Sequence, residues 1–163
     1  MKKIYFIILV GILTLSTDLP NAAIKKIDKT LNALWENKGI IQKSIKLDDD
    51  LKIAKIFADD VFVGYYVLSK ANSKADFFDF MVVYKPNLTI LTVQVLVYRE
   101  DYGGEIGSKR WLKQFIGKND TEEMKFGYDI QNISGATISA RSITNGVKKV
   151  TAKVNLLKKE GKI

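Results

Sequence analysis

Apolar and polar positions repeat along this chain with two different periods. In IKKIDKTLNALWEN (residues 24–37), Ile24, Ile27, Leu31, Leu34 and Trp35 recur at spacings of three and four, which predicts one apolar helical face. Asn37-Lys38-Gly39 supplies the expected stop. IIQKSIKL follows as a short linking strand or extended piece. LKIAKIFA (51–58) and VFVGYYVLS (61–69), separated by Asp59-Asp60, predict a hairpin, with Ile53 and Ile56 apolar and Lys52 and Lys55 exposed. KANSKADF (70–77) reads as a polar loop, FDFMVVY (78–84) as a strand and Lys85-Pro86-Asn87 as a turn. LTILTVQVLVYRE (88–100) is the longest strand candidate, with Val93, Val95 and Val97 on one face and Thr92, Gln94 and Leu96 on the other. Four main strands, linked by short turns, predict an antiparallel meander with helices on one side, an α+β fold.

Beyond residue 100 the texture changes. DYGGEIGSKRWLKQFIGKND (101–120) carries Gly103, Gly104, Gly107 and Gly117. Within it SKRWLKQFIG predicts a short helix with Trp111, Leu112 and Phe115 turned inward. TEEMKFGYD is polar and loop-like. A long final helix is expected from Thr137 or Ile138, because Ile143, Val147, Val150, Val154 and Leu157 step by four and three. Lysines load its C-terminal half, where cations suit the negative end of the helix dipole. No repeat or internal boundary divides residues 23–163, so they are expected to form a single domain.

Composition narrows the chemistry. The 163 residues include no Cys and no His. That removes thiol nucleophiles, disulfides, His-based triads and the commonest transition-metal ligands. Redox chemistry would have to be carried by a cofactor. The formal net charge is +8, which suits an anionic ligand, surface or partner, or simply a solvated basic surface. At the N-terminus, Lys2 and Lys3 precede the uncharged run Ile4–Ser16. The run is short against the roughly 20 residues of a membrane-spanning helix and fits a secretory leader over residues 1–22. Ala22 and Ala23 are the candidate cleavage positions, and an uncleaved N-terminal anchor is the alternative. The domain is therefore expected in the periplasm or otherwise outside the cytoplasm, possible membrane association running through its N-terminus. Nucleic acid is an unsuitable partner there, and the aromatic residues lie in strand-like runs rather than alternating with Arg and Lys.

The stretch DIQNISGATISARS (129–142) puts Ser134-Gly135-Ala136-Thr137 where the last helix begins. One reading is an N-cap, with a hydroxyl accepting from the first helical amides. The other uses those same amides to hold a phosphate, with Gly and Ala permitting close approach and the Thr hydroxyl as a point of attachment. No Walker-type Lys follows Gly135 and no dinucleotide fingerprint is present.

This stretch closely resembles the flavinylation motif of the FMN-binding domain family. That family includes the FMN-carrying C subunit of sodium-translocating NADH:quinone reductases and the G subunit of Rnf-type electron-transport complexes. The resemblance implies that Thr137 is esterified to the phosphate of FMN by a separate, Mg-dependent flavin transferase using FAD. Ser134, Gly135 and Ala136 complete the motif, and Asp129 matches an acidic residue upstream of it. A second segment, REDYGGEIGSKRWLKQFIGK (99–118), is similar to the family's glycine-containing stretch and short helix at Glu100, Gly103, Gly107, Gln114, Phe115, Gly117 and Lys118. It departs from the usual pattern at Asp101-Tyr102 and in the spacing of Gly104-Glu105-Ile106. Tyr102, Gly104, Glu105, Ile106 and Gly107 are the candidates to lie against the flavin ring. Lys109 and Arg110 face anionic flavin, a partner or solvent, and Ser139 is the second-choice acceptor.

The implied function is that of an extracytoplasmic electron carrier with covalent FMN, working between membrane donors and extracytoplasmic acceptors. Its expected partners are the flavin transferase and a membrane or extracytoplasmic redox protein. Two other classes fit the same residues: a flavin-dependent reductase component with its own small-molecule substrate, and a secreted binding module that is not flavinylated.

Overall fold

The computed structural model describes residues 19–36, 38–47 and 51–163. The leader through Asp18 and the expected helix stop at Asn37 lie outside them. Helix α1 spans Asn21–Leu34 and is followed by strands β1 (Ile40–Ile45), β2 (Lys52–Ala58), β3 (Val61–Asn72), β4 (Phe77–Tyr84) and β5 (Ile90–Val97). Helix α2 is a single turn, Lys109–Leu112, set between two 3-10 turns, and α3 runs from Thr137 to Lys159. The strands form one antiparallel sheet in sequence order, so the expected α+β meander is the observed fold.

Helices cover both faces of this sheet, not one. Alternation along each strand divides the apolar residues. Tyr65, Val67, Phe78, Phe80, Val82, Tyr84, Val93 and Val95 join Ile143, Val147, Val150 and Val154 of α3 on one side. Ala54, Ile56, Tyr66, Leu68, Met81, Val83 and Leu96 join Ala23, Ile27 and Leu31 of α1 on the other. Strand β4, which lies between β3 and the edge strand β5, is buried on both faces from Phe78 to Tyr84, which explains why its residues there are apolar apart from Asp79.

Several local expectations change. Ile53 and Ile56 sit in opposite layers, because a separation of three reverses the face of a strand. Val97 does not share a face with Val93 and Val95. Asp79 pairs with Val97 and Phe80 with Val95, so Leu96 is an extra residue that shifts the register and moves Val97 to the α1 layer. The longest strand is β3, with 12 residues, not β5. It takes in Lys70–Asn72, and β4 takes in Phe77, leaving only residues 73–76 as the loop. Helix α1 starts at Asn21 and ends at Leu34, three residues before the expected stop, with Glu36 in a left-handed conformation (φ 53°). Asp59 and Asp60 do form the β2–β3 turn, both with positive φ, as a two-residue hairpin of primed type requires.

Helix α3 sets the position of everything near its N-terminus. Its expected stripe is buried as predicted, from Ile143 at 0% to Leu157 at 3% exposure. The contact is close because Gly146 faces Phe80: a Cβ there would lie 2.9 Å from Cζ of that fully buried ring. One helical turn later, the Thr151 hydroxyl bonds the Tyr84 hydroxyl at 3.0 Å inside the core. Burial pushes the Tyr84 ionisation well above its usual value, and the Thr151 bond opposes that shift. In an ordinary helix interior, Gly→Ala stabilises by roughly 0.5–1 kcal/mol. Gly146→Ala is expected to do the reverse, lowering stability by about 1 kcal/mol through overpacking against Phe80; a reduced denaturant midpoint with unchanged slope in urea unfolding would show it.

Candidate functional site

The chain leaving β5 is pinned to the end of the β3–β4 hairpin before it reaches the glycine-rich segment. Arg99 donates to the buried Asp79 carboxylate at 2.5 Å and to the Phe77 carbonyl, and its guanidinium lies 4.1 Å from the Phe77 ring centroid. Glu100 accepts from the Ser73 hydroxyl and from the amides of Ala75 and Asp76. The Ser73 bond, followed by those backbone bonds, holds its carboxyl below the ordinary range. Glu100 thus organises the loop at residues 73–76.

The segment that follows is surface-facing. Tyr102 is 85% exposed, Gly104 and Glu105 are exposed, and Gly107 is half-buried. Ile106 differs: its side chain is fully buried in the core shared with α3, so only its backbone is left to face a ligand. Gly103 has φ 85°, and a Cβ on it would lie 2.6 Å from the Tyr98 hydroxyl, which leaves no room for a side chain. Tyr98 explains that crowding. Its hydroxyl donates to the Tyr102 carbonyl at 2.9 Å and bonds the Ser139 hydroxyl at 2.9 Å. One phenol therefore ties the glycine-rich segment to the first turns of α3.

Helix α2 ties down the other approach. The Ser108 side chain caps it by accepting from the Trp111 amide at 3.3 Å. Trp111, Leu112 and Phe115 face the core as expected. Trp111 Nε1 donates to the Gln131 carbonyl at 2.7 Å, and Gln114 Oε1 accepts from the Gln131 amide at 2.8 Å. Both backbone groups of Gln131 are thus held, six residues before Thr137. Lys109 and Arg110 are exposed in the turn. Asp129 lies at the surface and spends its carboxylate on the Lys125 amide, 2.8 Å away, closing a local turn.

Residues 133–136 form a tight turn in which the Ala136 amide donates to the Ile133 carbonyl at 3.0 Å and Gly135 has φ 82°, the left-handed third position of a type II turn. Ser134 and Gly135 are exposed, Ala136 is buried and Thr137 is half-buried. The capping reading of this segment fails. Ala136 occupies the cap position, and no side chain accepts from the first turn of α3. Thr137 Oγ1 instead accepts from Asn132 Nδ2 at 3.0 Å and reaches the Ile133 carbonyl at 3.5 Å. The uncapped amides and the partial positive charge of a helix start are free for an anion. Ser139 is a poor alternative acceptor, being 4% exposed and bonded to Tyr98.

A model of the FMN-binding domain family matches residues 74–152. The match supports an FMN-binding domain over these residues. No match was found among curated proteins. The FMN-binding domain match takes in β4, β5, the glycine-rich segment, α2 and most of α3, so it includes both segments that Tyr98 joins. The residues present fit a flavin phosphate: the hydroxyl of the half-buried Thr137, uncapped helix amides and an exposed glycine-bearing segment meet at one end of α3. A cleft of about 820 Å³ lies elsewhere, along Lys52, Leu68, Phe80, Leu96, Gly146 and Val150, and neither motif lines it.

Sequence reasoning missed Tyr98, Asn132 and Arg141. Arg141 is exposed, and its guanidinium lies 5.1 Å from the Phe126 ring centroid. It follows Thr137 by one helical turn, and helical side chains cover the turn that precedes them. The four-residue spacing from Thr137 was a readable signal for Arg141. Tyr98 and Asn132 depend on contacts that no local pattern encodes.

Removing the Tyr98 hydroxyl strands the buried Ser139 group. Tyr98→Phe is expected to cost about 1–2 kcal/mol, and Ser139→Ala to cost little more in that background. A double-mutant cycle read by chemical denaturation should give a coupling of about 1 kcal/mol.

Proposed function

We propose that this FMN-binding domain carries its FMN covalently, through a phosphoester on Thr137, and serves as an electron carrier. The observation that carries the reading is Thr137, half-buried at the uncapped start of α3, a helix start that Ser139 and Tyr98 join to the glycine-rich segment. An attached phosphate would meet the first-turn amides and the favourable end of the helix dipole. Arg141 is placed to supply a counter-charge to the ester's single negative charge. Tyr102, Gly104, Glu105 and Gly107 offer the surface on which a flavin ring could rest, with the Ile106 side chain reserved for the core.

Bound FMN supplies one- and two-electron redox chemistry; the protein's part is to hold it in an accessible place. Attachment at a surface, rather than enclosure in a cleft, suits exchange with a partner, because the covalent bond removes the need for a deep pocket to retain the cofactor. With neither His nor Cys in the chain, the usual acid–base and thiol groups of a substrate-transforming site are missing, which favours the carrier reading over a reductase with its own small-molecule substrate. Lys2, Lys3 and the uncharged run Ile4–Ser16 support placing this activity outside the cytoplasm. There a flavin transferase would load the protein from FAD, and membrane or extracytoplasmic redox proteins would exchange electrons with it.

Coexpression with a flavin transferase, denaturation and gel electrophoresis should give a band with flavin fluorescence. Thr137→Val keeps the side-chain shape and removes the hydroxyl, so its band is expected to be dark; persistent fluorescence would reject Thr137 as the acceptor.

A further inference from the structure

The Thr137 hydroxyl is not a free rotor. Asn132 Nδ2 donates to Oγ1 at 3.0 Å, while Asn132 Oδ1 accepts from the Ile133 amide at 2.8 Å. Only one of the two orientations of the Asn132 amide satisfies both contacts, so the Ile133 N–H fixes which atom faces Thr137. The remaining contact of Oγ1, to the Ile133 carbonyl, is long at 3.5 Å. One lone pair of the oxygen is thus taken by Asn132 and its proton is directed at Ile133. The second lone pair is left for an incoming electrophile. Neighbouring hydroxyls are handled differently. Ser139 is buried and committed to Tyr98, and Ser134 lies exposed on the turn itself.

We infer that Asn132 is a positioning residue that selects and orients the Thr137 hydroxyl for flavin attachment; this rests on the proposal that Thr137 is the acceptor. In that step Thr137 Oγ attacks the FMN-side phosphorus of FAD. An Oγ–P bond forms, the P–O bond of the pyrophosphate breaks, and AMP leaves with the bonding pair. The Thr137 proton passes to a base on the transferase, and nothing is oxidised or reduced. By occupying one lone pair, Asn132 turns the other outward before the transferase docks, which lowers the orientational cost of the attack. The β-branched side chain of Thr137 assists, because its methyl group limits rotation about χ1. Specificity for this hydroxyl therefore resides partly in the flavin acceptor protein and not wholly in the transferase.

The test uses the full chain, purified without flavin, with a Mg-dependent flavin transferase and FAD. Initial rates of covalent fluorescence are measured against acceptor concentration for wild type, Asn132→Ala and Asn132→Ser. A Ser at this position keeps a hydroxyl oxygen beside the Ile133 amide but is too short to reach Thr137. Both variants are expected to lose about tenfold in kcat, the scale of one modest hydrogen bond, with KM for the acceptor within about twofold. A slow Asn132→Ala beside a normal Asn132→Ser would assign the residue to holding the turn and overturn the inference. A rise in KM alone would assign it to docking, and unchanged rates in both would remove any role; either result overturns it too. Thr137→Val run in parallel separates the two levels. If it is dark while the Asn132 variants react normally, only the positioning role fails. If it is fluorescent, the Thr137 assignment itself fails.

Discussion

The close seating of α3 on the aromatic floor of the sheet governs the rest of the molecule. Phe78, Phe80 and Tyr84 all point from β4 into one layer, and the stripe from Ile143 to Leu157 lies over them. Gly146 lets the helix backbone meet Phe80 without an intervening side chain, and the Tyr84–Thr151 bond gives the otherwise apolar contact a directional element. Apolar burial at about 25 cal/mol per Å² supplies the driving force, while close packing supplies the fixed position. Because a helix is rigid, fixing its middle also fixes its first turn. Thr137 thus owes its place to a contact more than two turns away.

Two arms then shape the surface around that turn. The first comes from β5, anchored by Arg99 and Glu100, and is joined to α3 by the Tyr98 hydroxyl. The second comes from α2, where Trp111 and Gln114 hold both backbone groups of Gln131. Neither arm has regular secondary structure near the motif, so side-chain-to-backbone bonds do the work that a sheet ladder does elsewhere. This accounts for residues such as Glu100 and Gln114, which belong to the recognisable motifs yet serve to position the segments around Thr137.

The elements were largely readable from the sequence because their apolar periods are clean: the α3 stripe, the β2–β3 hairpin about Asp59-Asp60 and the inward Trp111, Leu112 and Phe115 all follow from spacing. Parity within strands was less so. One extra residue at Leu96 moves Val97 to the opposite layer, and a register shift leaves no local signature. The layer formed by α1 was misjudged because β4 is apolar on both faces, and periodicity cannot say what covers each one. At the site, the Ser134–Thr137 motif was visible, but its role as a cap was not what the chain uses. Whether a Thr caps a helix or meets an Asn five residues earlier depends on the turn at Gly135, and that geometry emerges only in three dimensions.

The arrangement amounts to an α+β scaffold that holds the hydroxyl of Thr137, the proposed acceptor, at a positive helix end, with a glycine-bearing surface alongside. Mass spectrometry of the tryptic peptide spanning Phe126–Arg141, taken from protein coexpressed with a flavin transferase, tests this most directly. The peptide contains Ser134, Thr137 and Ser139 together, so fragmentation can tell them apart. The expected result is a gain of one FMN less one water, with every fragment that retains Thr137 carrying it. A peptide of bare mass, or a flavin located on Ser134 or Ser139, would contradict the account.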